Sequence, residues 1–163
     1  MIPLLPYKRL VFQSSLSREE IIRRLTIEVA SCGSGGWLFE RRTQDFEGLV
    51  SDEGFKISRV IRYRNSFLPI VEGKFSPIVN GVRIDVTMRL HFAVLLFSIV
   101  WLSGVGFGVL TVVKHLISTG RFDSVIFIPF GMLLFGYLLI TLGFGIEANK
   151  SSDLLNDIFE SDG

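Results

Sequence analysis

Arginine is the residue type whose spacing in this chain most invites chemistry. Arg59, Arg62 and Arg64 fall within residues 59–65 (RVIRYRN), and Arg83 and Arg89 flank a later alternating run. A guanidinium keeps its charge at any physiological pH and offers a planar fork of donors, which suits carboxylates and phosphates. If 55–63 is a regular strand, Phe55, Ile57, Arg59, Ile61 and Tyr63 share one face. Arg59 then lies among apolar neighbours and needs a carboxylate, Glu47 or Asp85, or else a bulge that turns it outward. Arg62, Arg64, Arg83 and Arg89 are cations for an anion or a lipid headgroup, each worth about 1 kcal/mol beside an anionic leaflet. Phe67, within 65–69 (NSFLP), is an aromatic that dips into a membrane interface, docks a partner or anchors its loop from inside.

The other constellations point away from catalysis. Gly33-Ser34-Gly35-Gly36 is glycine-rich, but a helix precedes it and a strand follows. A phosphate cradle needs the opposite order, so the segment reads as a connector. Cys32 stands alone, with no activating base near it in sequence, which excludes an intramolecular disulfide and a multi-cysteine metal site. His91 and His115 sit at opposite ends of one long apolar stretch and cannot share a metal within a monomer. Asp52-Glu53 is turn chemistry, and Glu47 and Asp85 are strand residues. No nucleophile elbow or dinucleotide fingerprint is present, and the sequence calls for no catalytic residue, metal or cofactor.

What positions the arginines is governed by two uncharged stretches, 92–113 and 124–146. A bilayer core of about 30 Å takes about 20 apolar helical residues, and each stretch meets that length without Asp, Glu, Lys or Arg. They read as a transmembrane hairpin spanning 91–146, with mean hydropathy of +0.47 for the whole chain. In the first stretch, Gly104 and Gly108 form a GxxxG that packs within the hairpin, against Gly131, Gly136 or Gly143, or between protomers. The only serine and threonine hydroxyls well inside the spans are Ser98, Ser103, Thr111 and Thr141, a sparse lining for a pore.

The remainder is a domain over 1–90 and a tail over 147–163. The first holds 14 Lys/Arg against 10 Asp/Glu, and the tail one lysine against five acids. A balance of +4 over 90 residues is too weak for nucleic acid. Ser17 with Glu20 is a capping box that opens a helix with Ile21, Ile22, Leu25 and Val29 as its apolar stripe. Strands are expected at 8–14, 37–41, 45–50, 55–63, 68–75 and 82–90, with Asn80-Gly81 as a tight turn. Residues 149–159 read as a short helix capped near Ser151, packing back on the sheet or on the first helix. The fold class is therefore α+β: a small antiparallel sheet with one packed helix, a two-helix transmembrane hairpin and a short C-terminal helix.

The stretch 46–73 resembles a family of small bacterial membrane proteins of uncharacterised activity. Phe46-Glu47-Gly48, Gly54-Phe55-Lys56-Ile57-Ser58-Arg59, Tyr63-Arg64-Asn65-Ser66-Phe67-Leu68-Pro69 and Gly73 carry the likeness, together with IPFGM opening the second span. The resemblance implies an N-terminal α+β domain followed by a hairpin and supplies no activity. Lys74, Arg83, Arg89 and Lys150 outnumber Lys114 and Arg121 of the connector, so both termini are expected in the cytoplasm of a bacterial inner membrane. The expected role is a non-enzymatic, membrane-anchored module that binds a protein partner or lipid headgroups. The alternative is an oligomeric channel or transporter-accessory subunit associating through Gly104 and Gly108.

Overall fold

A computed structural model describes residues 5–31, 44–120 and 124–160. In chain order these form β1 (Tyr7–Ser14), α1 (Arg18–Glu28), β2 (Val29–Ser31), β3 (Phe46–Val50), β4 (Gly54–Arg59), β5 (Ile70–Ile78), β6 (Gly81–Arg89), α2 (Phe92–Thr119) and α3 (Phe127–Phe159). The expected strand at 37–41, the glycine connector and Cys32 lie outside the described residues.

Period-two alternation builds the sheet. In β6, Val82, Ile84, Val86 and Met88 are buried while Arg83 and Arg89 are exposed. Val79 and Asn80 turn the chain between β5 and β6, one position earlier than the expected Asn80-Gly81, with Ile78 opposite Gly81. Gly81 has φ of +137°, and a side chain there would run into the Ser14 carbonyl, so the turn requires glycine. The strand order is β1-β6-β5-β4-β3-β2. All neighbours are antiparallel except β2 and β3, which makes the sheet mixed and not purely antiparallel as expected. The cause is Val29: instead of closing the helix it takes extended dihedrals of −105° and 115° and begins β2. The β-branched side chain suits a strand. α1 thus links the two opposite edges of the sheet across its apolar face.

Ser17 caps α1, its Oγ accepting the Glu20 N–H at 3.2 Å. Ile21 and Leu25 are fully buried on the sheet. The second cover is α3, a 33-residue helix that runs without interruption from Phe127 to Phe159. The expected boundary near residue 146 and the separate tail helix are absent. Residues 147–158 contain no proline or glycine, so nothing stops the helix, and Ser151 is a buried interior residue, not a cap. Phe144, Ala148, Leu155 and Phe159 enter the same core as Ile57, Ile84, Val86 and Met88.

α2 and α3 are both long and apolar enough to cross a membrane, and only 6% and 22% of their most apolar windows are buried. A core helix of a soluble domain would be mostly buried. The two pack antiparallel: the Trp101 ring lies over Gly136, and Gly108 faces the Pro129 side chain. Extending that register puts Phe92 opposite Gly145. Residues 127–146 span about 30 Å and the remaining 13 about 20 Å. Along that second part, Lys8 of β1 contacts Asn149 and Ser152, and Ser14 contacts Phe159. The strands therefore run alongside α3, and the sheet stands as an extension of the helix axis.

Candidate functional site

β4 ends at Arg59, the last residue paired with β3, opposite Phe46. The chain then leaves the sheet for a loop, residues 60–69, and returns as β5. Arg59 keeps the inward parity of Phe55 and Ile57, so its guanidinium points at the helix face of the sheet. Its partner is Glu147 of α3: Nη2 and Nε donate to Oε2 at 2.6 and 3.0 Å. Neither expected partner occupies this place. Glu47 stands opposite Ser58 on the other face, and Asp85 pairs there with Arg83 and Arg9.

Glu147 is 2% exposed and Arg59 17%. Two ions withdrawn from water each lose several kcal/mol of hydration, so every lone pair needs a partner. The second carboxylate oxygen is supplied by the Tyr63 hydroxyl, which donates to Oε1. Tyr63 also accepts from Arg59 Nη2 at 3.1 Å, and Lys150 approaches Oε1 at 3.8 Å. Glu147 is the first charge after the uncharged stretch that ends at Ile146, so this network sits where the apolar part of α3 stops.

The same loop is fastened one turn earlier. Asn65 Nδ2 donates to the Gly143 carbonyl at 3.1 Å, while Asn65 Oδ1 accepts the Phe67 N–H at 2.9 Å. The Phe67 ring packs on Gly143, where an added Cβ would stand 2.9 Å from the ring. Phe67 is half-buried against the core, and Pro69 behind it is fully buried. Arg62 and Arg64 alternate outward and are exposed.

Arg83 and Arg89 belong to the outer face of the sheet. Arg89 donates to Glu72 at 2.8 Å, and Lys56 reaches the same carboxylate at 3.1 Å. The Arg89 guanidinium, with help from Lys56, holds the Glu72 carboxyl below the ordinary range. Arg89 lies opposite Tyr7, three residues before α2 begins at Phe92, whereas Arg83 lies opposite Gln13 at the far end of β6. Six residues of strand separate them by about 20 Å. On the inner face, burial lowers the Lys8 ammonium despite the nearby Asp153, and its Nζ donates to Asn149 at 2.9 Å and Ser152 at 2.8 Å.

Gly136 receives the Trp101 ring, and Gly104 and Gly131 have open space around them. Sequence reasoning missed Glu147 and Tyr63. A lone glutamate closing an uncharged run of 23 residues was the available signal for the first. Among the described residues no cluster of three metal-binding side chains occurs. Comparison of the chain with known protein families, curated proteins and solved structures found no match.

Proposed function

We propose that this chain is a non-enzymatic integral membrane protein whose α+β domain is held upright on its hairpin and contacts anionic lipid headgroups through loop 60–69. The supporting observation is that this loop is fastened to α3 at Gly143 and Glu147, on either side of the level where the apolar segment ends. Arg59 is neutralised by Glu147, which leaves Arg62, Arg64 and Lys150 as the outward cations at that level, with Arg89 close by. Arg83, about 20 Å farther along the strand, lies beyond the roughly 8 Å screening length of physiological salt. Phe67 is the loop's inner anchor. The excess of Lys74, Arg83, Arg89 and Lys150 over Lys114 and Arg121 supports both termini in the cytoplasm, and the family resemblance supports a bacterial inner membrane.

The test is hydrogen exchange of residues 60–69 in nanodiscs of phosphatidylcholine alone and with phosphatidylglycerol added. The anionic lipid should slow exchange in this loop, and Arg62→Gln/Arg64→Gln should abolish the difference. Equal exchange in both lipids would overturn the headgroup contact.

A second reading is favoured by Gly104, whose surroundings in the hairpin are empty although Ser103 and Phe107 beside it are exposed. That face of α2 is free to pack on a second copy, as an oligomeric channel or transporter-accessory subunit would require. The mass of the protein in nanodiscs decides it: a ring-sized oligomer lost in Gly104→Leu supports this reading, and a monomer removes it.

A further inference from the structure

A groove of about 380 Å³ opens between α1, the start of β3 and the last turns of α3. Its apolar walls are Ile27, Leu154 and Ile158, and Glu28, Asp45 and Asp157 stand around them with Arg24. The α3 residues involved lie 8 to 12 positions beyond Ile146, about 12–18 Å along the helix. The α3 wall of the groove therefore stands beyond the apolar part of the helix.

Its electrostatics are one-sided. Among the described residues three carboxylates face one guanidinium, and that guanidinium is engaged elsewhere: Arg24 Nε donates to Glu20 at 3.1 Å and Nη1 to the Glu160 carbonyl at 3.0 Å. Glu20, bonded to Arg23 and Arg24, has its carboxyl lowered to about 2 and stays ionised. None of Glu28, Asp45 and Asp157 has a side-chain hydrogen bond or ion pair among the described residues. Glu28 closes α1 and Asp157 lies in the last turn of α3, and neither last turn carries a basic residue. A helix C-terminus bears partial negative charge and is ordinarily matched by a cation. Here two such ends and three carboxylates converge beside exposed aliphatic surface, Ile27 being 57% exposed.

We infer that this groove docks a cationic amphipathic segment of a partner protein, one that presents lysine or arginine to Glu28, Asp45 and Asp157 while its apolar face covers Ile27, Leu154 and Ile158. Charge complementarity selects the occupant. An acidic or neutral apolar segment would leave three carboxylates desolvated without a counter-charge. The mode is an amphipathic helix laid in a groove, with electrostatics setting the choice of partner. It is distinct from the headgroup contact, because the groove is lined by no residue of loop 60–69, although the Asp45 carbonyl accepts the Val60 N–H where that loop begins.

The test uses the full chain in phosphatidylcholine nanodiscs, whose neutral lipid gives a basic peptide little to bind. The probe is a fluorescent amphipathic helix of leucine and lysine, with its leucine–glutamate counterpart as control. Saturable binding of the lysine peptide is expected, weakening about tenfold in Glu28→Gln/Asp45→Asn/Asp157→Asn, as three exposed charge pairs would produce. Ile27→Arg, a change at an exposed position, should weaken it as well, and Arg62→Gln/Arg64→Gln should not. Equal binding of the glutamate peptide, no saturable binding of the lysine peptide, undiminished binding by the triple variant, or loss in the Arg62/Arg64 variant would each overturn the proposal.

Discussion

Arg59 on β4 and Glu147 on α3 are 88 residues apart in sequence and meet at 2.6 Å, out of reach of most solvent. The pair joins the sheet to the helix at the level where the helix loses its apolar character. It is also the most deeply buried salt bridge among the described residues, with side-chain exposures of 17% and 2% against 25% and 29% for Arg24 and Glu20.

Removing one partner leaves the other ion buried and uncompensated. Glu147→Ala should destabilise the domain by about 3–5 kcal/mol, and Arg59→Met by a similar amount. The double variant Arg59→Met/Glu147→Leu should recover much of that loss, because no charge remains to be solvated. Thermal unfolding of the purified protein in detergent, arranged as a double-mutant cycle, measures the coupling. Additive losses would show that the pair is not coupled.

The domain should not survive without α3. Phe144, Leu155 and Phe159 are fully or almost fully buried in the sheet's core, and each contributes about 1.5–3 kcal/mol on burial. Their joint loss is comparable with the entire stability of a small domain, about 5–15 kcal/mol. Residues 1–90 expressed alone should be insoluble or give a collapsed amide spectrum. A dispersed spectrum from that fragment would show that the sheet folds without its cover.

The two glycines of the hairpin should respond oppositely. A methyl at Gly136 meets the Trp101 ring, so Gly136→Ala should cost about 1–3 kcal/mol through overpacking and be relieved by Trp101→Leu. Gly104→Ala meets nothing within the chain and should leave monomer stability unchanged or slightly raised. Unfolding in detergent at low protein concentration distinguishes the two.

Acid should loosen the outer face of the sheet. The Glu72 carboxyl is lowered in the folded state, chiefly by Arg89 and then by Lys56. A lowered carboxyl stabilises the fold above its unfolded value, about 4.3, and that contribution disappears as pH falls through the folded value. Glu20 follows the same sign over the interval from 4.5 to about 2. An acid titration followed by tryptophan fluorescence should therefore show stability falling below about pH 4.5, less steeply in Glu72→Gln. A variant with an unchanged acid limb would remove Glu72 from the explanation.

Much of the sheet was legible because alternation is a direct readout of faces. Val82 to Met88 mark the buried row of β6, and the same parity put Arg59 among apolar neighbours in need of a carboxylate. Choosing Glu47 or Asp85 as its partner ignored that parity, since both alternate onto the outer face. Glu147 was hidden because helical residues after a membrane span reveal neither how far the helix continues nor what it leans on. Ser151 misled for a related reason: serine caps helices, yet a serine inside a helix carries the same letter. The parallel β2 depended on Val29 to Ser31 leaving the helix whose apolar stripe Val29 was expected to join, and three residues are too few for a period to show.

The uninterrupted α3 gives the molecule the mechanics of a lever. If its inner arm, residues 127–146, crosses a bilayer as proposed, that arm must match the bilayer's thickness, and a helix longer than the local hydrocarbon layer tilts. Its outer arm of 13 residues is welded into the core of the domain. A tilt of about 10° in the membrane therefore swings the far end of the sheet sideways by about 3 Å, with no hinge between them to absorb it. Bilayer thickness becomes a displacement of a folded surface some 20 Å away.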